Sequence, residues 1–287
     1  MGIRKPIMAG QFYEASPTRL EKQLHDSFVH DKGPGDLPAS RGSPVIKAII
    51  SPHAGYSYSA PCAAWGYKEI AEAKLPDTFI ILGVDHSGYG TTALSTDSWE
   101  TPLGLMRVDN QLATAIMRKA GIPDDSSAHS TEHSIEVQLP FLQFVNKAEM
   151  EKLRFIPITI SHDKDLKQLA IDIMESIMDL NRTVTFIASS DFTHYGRSYR
   201  YLPFTSEVPK RLNELDGGAI KLIKELNAEG FAKYVGDTMA TICGTQTIYL
   251  LLSMLKKTKG ELLQYYQSGD LSGDYKNTVG YASIVFR

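Results

Sequence analysis

Short apolar runs alternate along the chain with longer stretches whose apolar positions recur every three or four residues. The runs at 45–50 (VIKAII), 78–83 (TFIILG), 154–160 (RFIPITI) and 183–189 (TVTFIAS) are rich in Ile, Val, Phe and Thr and too short for helices, so each reads as a buried strand. Amphipathic spacing around and between them predicts helices over 17–29, 60–74, 110–120, 132–146 and 163–180. Alternation of this kind implies an α/β fold, a three-layer sandwich whose central, mostly parallel mixed sheet carries helices on both faces. Residues 91–109 contain short β-like pieces around Thr-Pro-Leu-Gly and predict an inserted hairpin. Toward the C-terminus, 245–260 reads as a buried helix ending at Gly260, and 261–270 and 277–287 as closing strands. The Gly-, Pro- and charge-rich stretch 31–43 disfavours both element types. With no internal repeat and no second core pattern, residues 1–287 are expected to form one domain.

Composition narrows the function classes. Lys and Arg number 30 against 33 Asp and Glu, and the net charge of -3 is spread without a basic stripe, which argues against a nucleic-acid partner and for a small molecule or peptide. Residues 1–28 lack the apolar core of a signal peptide, and no later run approaches the roughly 18 apolar residues of a membrane span, so a cytosolic chain is expected. The only cysteines, Cys62 and Cys243, are too few for a disulfide framework. Cys62 lies in an amphipathic segment and reads as inert, whereas Cys243, just ahead of an apolar helix, stands where a helix N-terminus lowers a thiol pKa.

Chemistry-bearing residues gather where strands end. "SPHAGYSYSA" follows the first strand, and Pro52 and Gly55 are expected to hold His53 on a stiff turn. "LGVDH" brings His86 past the second, and "SSDFTHYG" brings Asp191 and His194 past the fourth, with Asp191 expected to fix the tautomer of His194. Ligands of open α/β sheets bind at the carboxyl ends of the strands, so three such endings point to one pocket. In "EHSIEVQLPF" His133 and Glu136 are three residues apart and would share a helix face.

Taken in order, "AGQFYEAS", "SPHAGYSYSAPCAAWGY", "FIILGVDH", "EHSIEVQLPFL", "SSDFTHYG" and "TICGTQTIYLLL" resemble the Memo-like family over nearly the whole chain. The resemblance implies a fold similar to the class III non-haem iron extradiol dioxygenases. It implies His53, His86 and Cys243 as metal ligands, with Asp191 and His194 as further pocket positions and His133 and Glu136 close by. A Cys in place of the carboxylate of the dioxygenases softens the site and shifts preference toward copper, zinc or a thiolate-bound iron. Members of the family are linked to copper-dependent redox activity and, in eukaryotes, to receptor signalling through phosphotyrosine-containing peptides.

The leading expectation is a metal-dependent oxidoreductase with one transition metal, copper or iron or else zinc, on His53, His86 and Cys243, and with Asp191, His194 and His133 as acid–base or supporting groups. Two alternatives stand beside it: a metal-free module that binds a peptide or anion, and a hydrolase working through metal-bound water. The chain has no P-loop, no dinucleotide-binding glycine fingerprint and no nucleophile elbow.

Overall fold

A computed structural model of the chain describes residues 2–287. In chain order the elements are β1 (Ile3–Arg4), α1 (Pro17–Val29), β2 (Ala48–Ser51), α2 (Tyr56–Glu72), β3 (Thr78–Val84), β4 (Ala93–Leu94), β5 (Ser98–Thr101), β6 (Gly104–Val108), α3 (Asn110–Ala120), α4 (Leu139–Val145), β7 (Arg154–Ile160), α5 (Leu166–Asp179), β8 (Val184–Ser189), β9 (His194–Gly196), α6 (Val208–Lys224), α7 (Ala228–Thr238), α8 (Thr245–Met254), β10 (Gly260–Gln267), α9 (Gly269–Ser272) and β11 (Asn277–Phe286). One large sheet runs in the order β1-β5-β6-β7-β3-β8-β2-β11-β10. Its middle, β6 to β2, is parallel, and β5, β11 and β10 close the edges antiparallel.

The helices divide between the two faces as pleating requires, because successive side chains of a strand point to opposite sides. On β11, Ser283 meets Gly66 of α2, whereas the neighbouring register at Gly280 meets Asp216 of α6. α1, α2 and α4 pack together, and α3, α5, α8, α7 and α6 form a continuous succession of neighbours elsewhere, with α6 and α8 set on the sheet. The result is a mostly parallel mixed sheet between helical layers, with Phe79, Ile80, Ile81, Phe155 and Ile187 fully buried at its centre.

Several elements depart from the sequence pattern. β2 starts only at Ala48, leaving Val45 59% exposed. α2 starts at Tyr56 rather than 60, because Gly55 O already accepts from Ser59 N at 3.1 Å. The helix expected over 132–146 is a turn at 132–135, one 3-10 turn at Glu136–Gln138 and the short α4; the buried Glu132 carboxylate binds the backbone N–H of His133 and Ser134 and holds them outside a helix. α8 stops at Met254, well short of Gly260, and Lys257 has a left-handed φ of 52°. The closing strand expected to reach 270 ends at Gln267 and turns into α9. α6 and α7 had no counterpart in the expected elements. α6 buries Leu212, Ala219, Ile220 and Ile223 on one stripe, but Asp216, Gly217 and Gly218 interrupt it, so neither propensity nor pattern marks the helix. The hairpin expected within 91–109 is present as β5 and β6, with Thr101 opposite Gly104.

His129 is fully buried, with Nδ1 3.0 Å from Thr159 Oγ1 and its ring edge-on to Trp99. Burial, helped by the Arg4 charge, lowers its pKa to about 4. The unfolded side chain takes its proton near 6.5, so between those values the unfolded state binds more protons and stability falls as pH falls. The loss between pH 6.5 and 4 is expected to reach about 3 kcal/mol. Urea unfolding of His129→Gln should show a correspondingly flatter pH dependence than the parent; parallel profiles would remove His129 as the cause.

Candidate metal centre

β3, β8 and β2 lie side by side and parallel, so their carboxyl ends open at one edge of the sheet. β2 delivers His53, β3 delivers His86 and β8 delivers Ser189, Ser190 and Asp191. The two histidines therefore come from strands that flank β8, not from adjacent strands, and their rings meet edge-on over its end at 5.1 Å. His133, from the turn ahead of α4, stacks on His86 at 4.7 Å and meets His53 at 5.6 Å.

The hydrogen bonds fix where the protons sit. Gln138 Nε2 donates to Pro52 O at 3.0 Å and to Ser189 Oγ at 2.8 Å, while its carbonyl accepts from Tyr67 OH. Ser189 Oγ gives its single proton to Ser134 O at 2.6 Å. With that proton committed, Ser189 can only accept from His53 Nδ1, 2.9 Å away, so His53 carries Nδ1–H and leaves a lone pair on Nε2. That lone pair faces Cys243 Sγ at 3.2 Å and Asp191 Oδ2 at 4.0 Å. His86 is fixed the same way: Glu132, fully buried, accepts from His86 Nδ1 at 3.1 Å and from His86 N at 2.8 Å, leaving Nε2 free.

Asp191 is held by the backbone N–H of His53 at 2.8 Å and Ala54 at 3.3 Å. Its own N–H donates to Cys243 Sγ at 3.1 Å. Cys243 reaches this position because Gly244 packs flush against Ser190, where a Cβ would overlap the serine side chain. A second close approach is at Gly83, where a Cβ would come within 2.5 Å of Ile135 on the segment that carries Glu132 and His133. Gly55, by contrast, has φ -54° and only ordinary contacts around a would-be Cβ, so the turn after His53 does not depend on glycine.

Electrostatics separate the groups. Burial, then the neighbouring His86 and His133, push His53 well below the usual imidazole range, and burial lowers His133. Burial works the same way on His86, but the hydrogen bond and charge of Glu132 outweigh it and leave His86 raised. Glu132 itself is lowered: burial opposes ionisation and the His86 contact overcomes it. Burial pushes the Asp191 carboxyl up, against the pull of His194 and of two backbone N–H groups. Cys243 also rises, through burial and the Asp191 charge, so the protein without a metal holds a thiol and the helix N-terminus does not win.

Two donor groups share His53: His53, His86 and His133, and His53, Asp191 and Cys243, each with its donor atoms within 4.8 Å of one another. His53, Asp191 and Cys243 thus form a cluster able to hold a metal ion. The trio His53, His86 and Cys243 does not meet as one group at that distance among the described residues, although both partners close on His53. An ion 2.0–2.3 Å from each donor needs donors no more than about 4.6 Å apart. Of the three expected ligands, His86, with its side chain 33% exposed, is the one with room to turn. A cleft of about 470 Å³, lined by Asp85, Ser161, Asp163 and Gln246, runs up to Cys243.

Other expected residues fall elsewhere. His194 belongs to neither donor group; its Nδ1 donates to Thr241 O at 3.1 Å and its ring meets Tyr199, so Thr241 and not Asp191 sets its tautomer. His133 and Glu136 do not share a helix face. Glu136 turns away to Arg4 at 2.7 Å, the N–H groups of Ile7 and Met8, and Tyr13 OH. Cys62 is buried beside Tyr266 and Tyr281. The residues that orient the site, Glu132, Ser134, Gln138 and Ser189, escaped the sequence reading; the one available signal was the acid directly before His133 in "TEHS".

A model of the Memo-like protein family matches residues 4–285. The chain belongs to the Memo-like family. It is 43% identical to a MEMO1 family protein of Methanopyrus kandleri over 294 residues, covering 99% of both chains. It is 36% identical to one of Methanothermobacter thermautotrophicus, covering 98% of this chain and 99% of the other, and 38% identical to one of Desulfurococcus amylolyticus, covering 100% and 99%. The segments that build the Memo-like site, from His53 to Cys243, all lie inside this matched span. Among its described residues, no helix is long and apolar enough to cross a membrane.

Proposed function

We propose that this Memo-like chain is a single α/β domain that binds one transition-metal ion on His53, His86 and Cys243 and carries out oxidation–reduction on a small-molecule or peptide substrate. The observation that carries the reading is the proton placement. Ser189 and Glu132 each engage an Nδ1–H, so the buried His53 presents a bare Nε2 3.2 Å from a thiol, and the partly exposed His86 turns its Nε2 edge away from Glu132 toward the same pocket. A structural zinc site would be closed by four strong donors, whereas this set has three with Asp191 alongside. The donor set fits: two imidazoles and one sulfur suit copper, iron or zinc, and copper or iron held there would supply one-electron chemistry.

The protein's own groups have separable roles in this reading. Ser189 and Glu132 hold the imidazoles in the tautomer a ligand requires, as carboxylates and hydroxyls behind metal-bound histidines do elsewhere. Asp191 and His133 border the pocket as groups able to hold or release a proton, and His194, its Nδ1–H engaged by Thr241, offers Nε2 as an acceptor. The cleft beside Cys243 is the approach for substrate.

Protein purified without an affinity tag should contain about one transition metal per chain, and Cys243→Ser should lower copper or zinc affinity by at least tenfold, because a neutral hydroxyl replaces a soft thiolate. Oxygen consumption or superoxide formation should depend on that metal. Unchanged stoichiometry and affinity in Cys243→Ser would remove Cys243 from the ligand set, and ligand binding indifferent to chelator would favour a metal-free binding module.

A further inference from the structure

At the opposite edge of the sheet, where β2 and β8 begin, a groove of about 490 Å³ opens between α5 and the end of α8. α5 buries Leu169, Ala170, Ile173 and Ile177 against the body of the protein, but carries a second apolar row in which Met174 is half-buried against the core while Ile171 and Met178 stay exposed. Ile171 is 50% and Met178 65% exposed, and both line the groove with Phe186 and Met254 as its floor. Isolated surface apolar residues are ordinary, but a row on one helix bordering a cavity of small-molecule size is the feature of a binding groove. Methionine supplies adaptable, polarisable walls for flexible apolar ligands.

The charges are arranged at one end. From Ile171 to Met178 the row runs about 10 Å along the helix at 1.5 Å per residue, and α5 descends toward the edge where Lys47 and Lys256 stand. Lys47 Nζ donates to the carbonyls of Lys256 at 3.4 Å and Lys257 at 3.1 Å. The left-handed Lys257, at φ 52°, is part of the turn that presents these carbonyls. Among the described residues neither Lys47 nor Lys256 has a carboxylate within ion-pair distance, whereas Glu175, the acid in the lining, is already paired with Lys119 at 3.1 Å. An ammonium held in place without a counter-ion, at the foot of an apolar groove, complements a ligand with one anionic end and an unbranched apolar body.

We propose that this groove binds a free medium- or long-chain carboxylate, its chain along Ile171, Met174 and Met178 and its carboxylate on Lys47 and Lys256. The site lies at the strand starts, away from the candidate metal centre at the strand ends, and does not depend on the reading of that centre. A partner helix is the weaker occupant, since the charges sit at one end rather than around a rim.

The test uses decanoate, 1-decanol and decyltrimethylammonium as probes, with calorimetry and the NMR spectrum of protein labelled in the methionine methyl groups. Decanoate should bind saturably, one per chain, and shift the Met174, Met178 and Met254 signals. Lys47→Gln combined with Lys256→Gln should weaken decanoate by about tenfold or more and leave decanol within twofold, with the thermal melting temperature of the variant measured alongside to show that it is folded; Lys256 is exposed and Lys47 half-buried. Met174→Asp should weaken decanoate and decanol alike. Equal affinity for all three probes, no saturable shift of these methionines, or decanoate binding untouched by the double lysine variant would each overturn the proposal.

Discussion

Replacing Glu136 with alanine should lower the unfolding free energy by about 3–5 kcal/mol while leaving the metal stoichiometry of the folded protein unchanged. Glu136 is fully buried and its ion-pair partner Arg4 nearly so. Its carboxylate collects Arg4, the N–H groups of Ile7 and Met8 and the Tyr13 hydroxyl, while Arg4 also donates to the carbonyls of His129 and Glu132. Removing the carboxylate strands a buried cation and several donors at once, and that, not the loss of one contact, sets the size of the effect. Urea unfolding reads it directly. A change below about 1 kcal/mol would show that the N-terminal residues 4–13 are not fastened through this pair, and loss of metal from protein that remains folded would return Glu136 to the site.

Glu132→Gln should have the opposite signature, with metal affinity falling by about 10- to 100-fold. Glu132 accepts from His86 N, His86 Nδ1, His133 N and Ser134 N. A glutamine keeps the shape but turns an NH2 toward donors, so one of these bonds becomes a donor–donor contact and the His86 ring loses both its anchor and the charge that makes it a basic ligand. Some stability is lost too, of the order of 1–3 kcal/mol for buried donors left unpaired. Titration with zinc under conditions where both proteins are shown to be folded separates the two effects. Equal affinity in parent and variant would mean that His86 does not need Glu132, and would weaken the case for His86 as a ligand.

The contrast between these two glutamates shows where sequence reasoning succeeds. Strands β3, β7 and β8 announce themselves because a strand buried on both faces must be a short, continuous apolar run, and the ends of β2, β3 and β8 bring His53, His86 and Asp191 to one edge of a parallel sheet by topology alone. What the pattern does not carry is the set of contacts made across long sequence separations. Ser189, Gln138 and Ser134 look like ordinary polar residues until the fold puts them in one chain of hydrogen bonds, and that chain decides the tautomer of His53. The segment 132–138 has helical spacing, yet the buried Glu132 captures its first N–H groups and keeps it open. α6 stayed hidden for the reverse reason: a buried Asp216, satisfied by Thr193 and Tyr265, sits in the middle of what would otherwise be a legible apolar stripe.

The most direct test of the metal site is X-ray absorption at the edge of the metal in tag-free protein loaded with one equivalent of copper or zinc. Coordination by His53, His86 and Cys243 predicts one sulfur at about 2.3 Å and two imidazole nitrogens at about 2.0–2.1 Å, with the sulfur contribution gone in Cys243→Ser. A spectrum of the parent protein without sulfur, built from nitrogen and oxygen alone, would contradict the assignment of Cys243 and with it the site described.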